Sequence, residues 1–154
     1  MLRFLSSPGV PGCLAAIGIF VVLYIVACLT IKLGHYTFEP RGPGSFEPIL
    51  ARYTRVTELI ISLATGSIVL LAGSSIFRSA GRLPANYGSP LVLLASSVIF
   101  AVSFLAVCNY SYETWQHHGT YSHQSYRLNV ALGFGALFAF AVGYVWLGFA
   151  LVRN

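Results

Sequence analysis

The stretch "LNVALGFGALFAFAVGYVWLGFALV", Leu128 to Val152, contains no charged residue. As an α-helix rising 1.5 Å per residue it would be about 37 Å long, which exceeds the roughly 30 Å hydrocarbon core of a bilayer. A run of this length and hydrophobicity predicts a transmembrane helix.

Three further stretches are long and apolar enough to cross the membrane: 12–33, 56–77 and 89–108. Lys32 and Glu58 lie close to segment ends, where charged groups can reach the interface. The strands of a membrane barrel would be shorter and would alternate apolar with polar residues. The pattern predicts an all-α, polytopic four-transmembrane-helix bundle, with residues 1–154 forming one membrane domain.

The composition agrees with a membrane protein. Of the 154 residues, 56% are hydrophobic and only 8% are charged, which leaves too few polar side chains to cover a soluble globule. The net charge of +5 comes from basic residues scattered beside the predicted spans, so no cluster could follow a phosphate backbone. We therefore expect the lipid bilayer, and not nucleic acid, to be the surrounding partner.

The N-terminal span resembles a signal peptide because Arg3 precedes an apolar run. The run continues through Leu29, Thr30 and Ile31, which is long for a signal core, so we expect it to be retained as the first helix.

Basic residues near the ends of the spans predict the orientation, because Lys and Arg are retained in the cytoplasm. One membrane face carries four arginines in very short segments: Arg3, Arg78, Arg82 and Arg153. The other face carries five basic residues diluted by longer loops: Lys32, Arg41, Arg52, Arg55 and Arg127. The density of charge favours cytoplasmic termini.

The second span opens with "TELIISLATGS", Thr57 to Ser67, which places an acid beside small polar residues. At 100° per residue, one face of this helix carries Glu58, Ser62, Thr65, Val69, Ala72 and Gly73, with Arg55 one turn before them and Gly66 continuing it. A carboxylate facing lipid is costly, so we expect Glu58 to face the bundle, a partner helix or a wet cavity, and to pair with Arg55.

Two other spans carry rows of small residues. The fourth repeats small residues at intervals of four, at Ala131, Gly135, Ala139 and Gly143, and the third places serine at Ser89, Ser96 and Ser103. Such rows allow helices to approach closely in lipid. Packing inside one bundle would explain all three rows, whereas packing between protomers would use one of them.

The outer loop predicted from Asn109 to Arg127 is rich in Tyr, Trp and His. Aromatic residues of this kind gather at the headgroup level, so we expect a cap over the bundle. The alternative is a metal site, for which the candidate ligands are Glu113, His117, His118 and His123. Their spacing matches no specific motif, and no cofactor is predicted.

Sequence signals for catalysis are missing. The chain contains no Asp, no GxSxG and no glycine loop of the kind that cradles phosphate. We therefore expect no enzymatic activity.

The run "SLATGSIVLL", Ser62 to Leu71, resembles one in small bacterial four-helix membrane proteins of unknown function. The resemblance covers about a dozen residues of the chain. It implies the four-helix architecture and a bacterial inner membrane, and it implies no activity.

These observations favour a small membrane protein without enzymatic chemistry that associates with itself or with other membrane subunits. One alternative is a small ion- or proton-coupled transporter or pore that uses Glu58. Another is a metal-handling protein that uses the outer histidines.

We predict that cysteines introduced at Ser79 and Asn154, in a background without native cysteines, will be shielded from an impermeant thiol reagent in intact cells. A cysteine at Gly42 should react, because its loop is predicted to face outward. Labelling at Ser79 without labelling at Gly42 would reverse the orientation.

Overall fold

The computed structural model describes residues 9–31, 47–73, 85–118 and 122–152. These residues form four α-helices: α1 (Val10–Thr30), α2 (Glu47–Gly73), α3 (Ala85–His118) and α4 (His123–Val152). The described ranges contain no strand, and all four helices are long and apolar enough to cross a membrane. The predicted all-α, four-helix multi-pass architecture is confirmed.

Three of the four helices are longer than their predicted spans. α2 begins nine residues before Val56, α3 continues ten residues beyond Cys108, and α4 begins five residues before Leu128. The predicted loop from Asn109 to Arg127 is therefore mostly helix, which corrects that prediction. The physical reason is that Asn109 to His118 contains neither glycine nor proline, so nothing ends α3 before that point.

The helices alternate in direction along the chain, and α3 and α4 form the central pair. α1 packs against both of them, whereas α2 packs mainly against α3 and touches α4 much less. α1 and α3 consequently run parallel, and the neighbouring pairs α2/α3 and α3/α4 run antiparallel. The uneven contacts of α2 leave a gap between α2 and α4.

Small residues of α4 allow the central pair to pack closely. A Cβ atom added at Gly143 would lie 3.2 Å from the side chain of Leu94, and one added at Gly135 would lie 3.4 Å from the ring of Phe100. Ala139 is completely buried and packs in a cluster with Leu93. Close packing of this kind holds helices together in lipid, where hydrophobicity cannot.

α1 is held to the central pair at both of its ends. A Cβ atom on Gly12 would lie 2.5 Å from the carbonyl oxygen of Ser89, so the α1 and α3 backbones are in contact there. At the other end, the guanidinium of Arg127 donates a hydrogen bond of 3.3 Å to the carbonyl of Ile31. This bond satisfies a carbonyl that the end of a helix leaves without a partner.

We predict that Gly12→Ala will destabilise the detergent-solubilised protein by about 1–3 kcal/mol, because the new methyl group forces two backbones apart. The matched control is Gly18→Ala on the same helix, since a Cβ atom at Gly18 would meet nothing within 4 Å. Thermal unfolding followed by circular dichroism measures both variants. Equal stability of the two variants would contradict the close approach of α1 and α3.

Candidate functional site

The polar and small residues predicted to share one face of α2 lie on the outside of the bundle. We call this face the outer row; it comprises Glu58, Ser62, Thr65, Gly66, Val69, Ala72 and Gly73, all of which are exposed. A Cβ atom added at Gly66 or Gly73 would meet nothing within 4 Å. Packing within the bundle therefore does not account for this row.

Arg55 and Glu58 are both exposed at the start of the outer row. They form no ion pair with each other, although both belong to the part of the chain that the structure describes. The apolar side chains beside them, Val56 and Leu59, are exposed as well. Glu58 therefore does not face the bundle, which leaves a partner helix or the membrane interface as its surroundings.

The small residues of the other two helices behave differently. Ala131, Gly135, Ala139 and Gly143 of α4 are all buried against neighbouring helices. On α3, Ser89 is buried, whereas Ser96 and Ser103 are partly buried. Of these three rows, the one on α2 is exposed along its whole length.

The candidate metal ligands lie near the C-terminal end of α3 and at the N-terminal end of α4. Glu113 and His117 share an exposed face of α3, beside Tyr110 and Thr114. No group of three His, Cys, Asp or Glu side chains comes together within the described ranges. The side chains of His118 and His123 lie outside what the structure describes, so the metal site stays a prediction.

The gap between α2 and α4 forms a pocket of about 140 Å³ whose floor is the ring of Phe104 on α3. α2 lines it with Tyr53, Val56, Thr57 and Ile60, and α4 lines it with Tyr126, Asn129, Val130, Gly133, Phe134 and Leu137. Most of these side chains are apolar, and three carry aromatic rings in addition to Phe104. Sites for small apolar molecules have this character.

Asn129 is the most buried polar side chain of the pocket, at 2% exposure. Its Oδ1 atom accepts no hydrogen bond from the residues that the structure describes. Thr57, also buried, donates its hydroxyl proton to the carbonyl of Tyr53 at 2.8 Å. Asn129 is therefore the group in the pocket with unused hydrogen-bonding capacity, and in an apolar setting such a group is costly.

Gly133 and Phe104 set the shape of the pocket floor. A Cβ atom on Gly133 would lie 3.3 Å from the ring of Phe104, so glycine lets that ring lie against α4. The ring of Tyr53 meets Phe104 edge to face, with centroids 6.4 Å apart. The floor and one wall of the pocket are therefore rings in favourable contact.

A polar link joins α2 and α4 beyond the Leu137 end of the pocket. The hydroxyl of Tyr144 on α4 is hydrogen-bonded to Ser67 on α2, and the carbonyl of Leu63 on α2, 3.3 Å away, is its alternative acceptor. Ser67 also donates to the Leu63 carbonyl, at 2.8 Å. Around this link, Ala64 of α2 packs in one apolar cluster with Leu147 of α4.

At the opposite side of the pocket, two more polar groups are buried without partners among the described residues. They are the hydroxyl of Ser111 on α3 and the Nε atom of Arg127 on α4. Neither residue lines the pocket, whose own polar side chains are Tyr53, Thr57, Tyr126 and Asn129.

Sequence reasoning missed Asn129 and Tyr144. Both lie inside the apolar run of the fourth span, where a search for charged side chains passes over an amide and a phenol. The available signal was a lone Asn four residues before Gly133 in "NVALG". Polar groups within spans face the protein interior, so this signal predicts an inward-facing site.

The chain matches no protein-family model, and it is significantly similar to no curated protein and to no solved structure.

We predict that Tyr144→Phe will lower the free energy of unfolding in detergent by about 1 kcal/mol, since hydrogen bonds between membrane helices contribute about 0.6 kcal/mol on average. The matched control is Tyr110→Phe, whose ring is 68% exposed. Denaturation followed by circular dichroism provides the comparison. Indistinguishable losses in the two variants would mean that the Tyr144 hydroxyl does not join α2 to α4.

Proposed function

We propose that this chain is a non-enzymatic subunit of a bacterial inner membrane that associates with a second copy of itself through the outer row of α2. The observation that carries the proposal is the exposure of the whole row, including the open space at Gly66 and Gly73. The bacterial inner membrane rests on the resemblance of Ser62 to Leu71 to small bacterial membrane proteins.

The composition of the outer row suits contact with another helix better than contact with lipid. Ser62 and Gly66 are four residues apart, a spacing of small residues that lets two helices approach closely in membranes. The remainder of the exposed surface of α2 carries large apolar side chains such as Leu63 and Leu70. Lipid contact explains those side chains, but it does not explain a row of small and polar ones.

The charges of α2 also suit a pair of copies. Copies of one chain insert with the same orientation, so a two-fold axis along the membrane normal makes their α2 helices run parallel. Arg55 of one copy then lies near Glu58 of the other, because the two residues are three apart on one face. Such a pair would neutralise a carboxylate that is costly when it faces lipid.

The two alternative functions have less support. Glu58 does not line the pocket between α2 and α4, so this pocket offers its carboxylate no transport path. Glu113 and His117 supply two of the groups for a metal site, and the other two candidates lie outside the described side chains. Self-association therefore has the strongest support.

Cysteine scanning of α2 tests the proposal in native membranes. In a background without native cysteines, single cysteines at Ser62 and Gly66 should form disulfide-linked dimers on mild oxidation. Cysteines at Leu63 and Leu70, which are exposed on another side of α2, serve as matched controls and should cross-link little. Uniform cross-linking at all four positions would contradict an interface at the outer row.

We also predict that Gly66→Leu will weaken the dimer at least tenfold in detergent or nanodiscs, because a large side chain keeps the two helices apart. The fold of the protomer should be unchanged, since a Cβ atom at Gly66 meets nothing within 4 Å. Gly18→Leu, at an equally open position on α1, is the control. A wild-type protein that stays monomeric at every concentration would exclude self-association.

A further inference from the structure

The pocket between α2 and α4 has the size of a single ring. Its volume of about 140 Å³ is close to that of an engineered protein cavity of about 150 Å³ that binds benzene. A haem or a sterol is much larger, so neither fits inside. The pocket volume therefore limits the buried part of any ligand to about one six-membered ring.

The walls of the pocket favour an aromatic ring. Phe104 and Tyr53 already contact each other edge to face, and Phe134 lies on the opposite wall. A ring placed among them can continue the same edge-to-face contacts, which contribute beyond the burial of apolar area. A lipid acyl chain would fill the space but could not make these contacts.

The buried amide of Asn129 favours a ligand whose ring carries one polar substituent. Its side chain is 2% exposed, lines the pocket, and has an Oδ1 atom without a hydrogen-bond partner among the described residues. The oxygen is almost closed to solvent, so the Asn129 amide must rotate toward the pocket before a hydroxyl group on the ring can donate to it and satisfy it. An unsubstituted hydrocarbon would leave it without a partner.

The route into the pocket leads from the membrane. Tyr53, Val56, Phe134 and Leu137 line the pocket and are each exposed on the outer surface of the bundle. Asn129 lies about 3 Å along α4 from Arg127, whose guanidinium binds the end of α1. A ligand dissolved in the bilayer would therefore enter sideways, with its hydroxyl toward the outer end of the helices.

We propose that this pocket is a binding site for a membrane-dissolved phenol or quinol, whose ring lies against Phe104 and whose hydroxyl donates to Asn129 Oδ1. Any apolar tail on the ring extends through the opening beside Leu137 into the lipid. This site is separate from the outer row, because the two faces lie roughly on opposite sides of α2 at 100° per residue. Binding at the pocket does not depend on self-association.

The test uses 4-fluorophenol and fluorobenzene as probes, titrated by fluorine NMR against the full-length protein in nanodiscs, with empty nanodiscs as the reference. We expect 4-fluorophenol to bind saturably at one site per chain and about five to ten times more tightly than fluorobenzene. This factor corresponds to one hydrogen bond, together with the release of Asn129 from its unsatisfied state. Binding that does not saturate above the reference would overturn the proposal.

Asn129→Leu separates hydrogen bonding from ring burial. This variant keeps a side chain of similar size, so it should lower the affinity for 4-fluorophenol about five- to tenfold and leave the affinity for fluorobenzene unchanged or higher. Circular dichroism and thermal unfolding establish that it folds. Equal affinity of the folded variant and the wild type for 4-fluorophenol would overturn the role of Asn129.

Val56→Phe provides a second variant that does not alter Asn129. Val56 lies at the rim of the pocket and is 46% exposed, so a larger side chain can narrow the opening without crowding the core. Both probes should bind at least fivefold more weakly. Val145→Phe, at an exposed site on α4 that does not line the pocket, should change neither affinity. An unchanged affinity in Val56→Phe would place the probes elsewhere and overturn the site.

Discussion

The close contact between α3 and α4 is the constraint on which the other packing depends. Gly135, Ala139 and Gly143 remove side-chain volume from α4, so that Phe100 and Leu94 of α3 can lie directly against it. Because lipid is as apolar as these side chains, the gain comes from shape and van der Waals contact. α1 then packs into the surface that the pair presents, with the ring of Phe20 stacked on that of Phe100 at 5.7 Å.

The same contact explains why α2 is the least constrained helix. It packs along α3, but α4 is already occupied by its own contacts with α3 and α1. The hydroxyl of Tyr144 joins α2 to α4 near Ser67, and beyond that link the two helices leave room between them. The pocket on one side of α2 and the exposed row on the other are therefore two results of one loose attachment.

The fold could be predicted from the sequence because hydrophobic length is a strong signal in a chain with so few charges. The extensions of α3 and α4 could not be predicted, because hydropathy marks where a helix leaves the lipid and not where it stops. Asn109 to His118 is polar and aromatic, yet it lacks any residue that ends a helix. Helical periodicity was enough to predict that Glu58, Ser62 and Thr65 share one face of α2.

The direction in which that face points did not follow from periodicity, since it is set by the neighbour against which α2 packs. Thr57, Ile60 and Ala64 are buried instead, and they lie roughly on the opposite face of the same helix. Asn129 illustrates the same limit for the pocket. Its position in an apolar run indicates burial, but its partners depend on the gap left by α2.

The lengths of α3 and α4 determine what the protein offers beyond the lipid. At 1.5 Å per residue, the segment from Asn109 to His118 extends α3 by about 15 Å past its apolar span, and the first residues of α4 run back beside it. Backbone that is already helical loses little conformational freedom when another molecule binds to it. This end of α3 is consequently preorganised, and it presents the rings of Tyr112 and Trp115 and the exposed imidazole of His117 at fixed helical spacings.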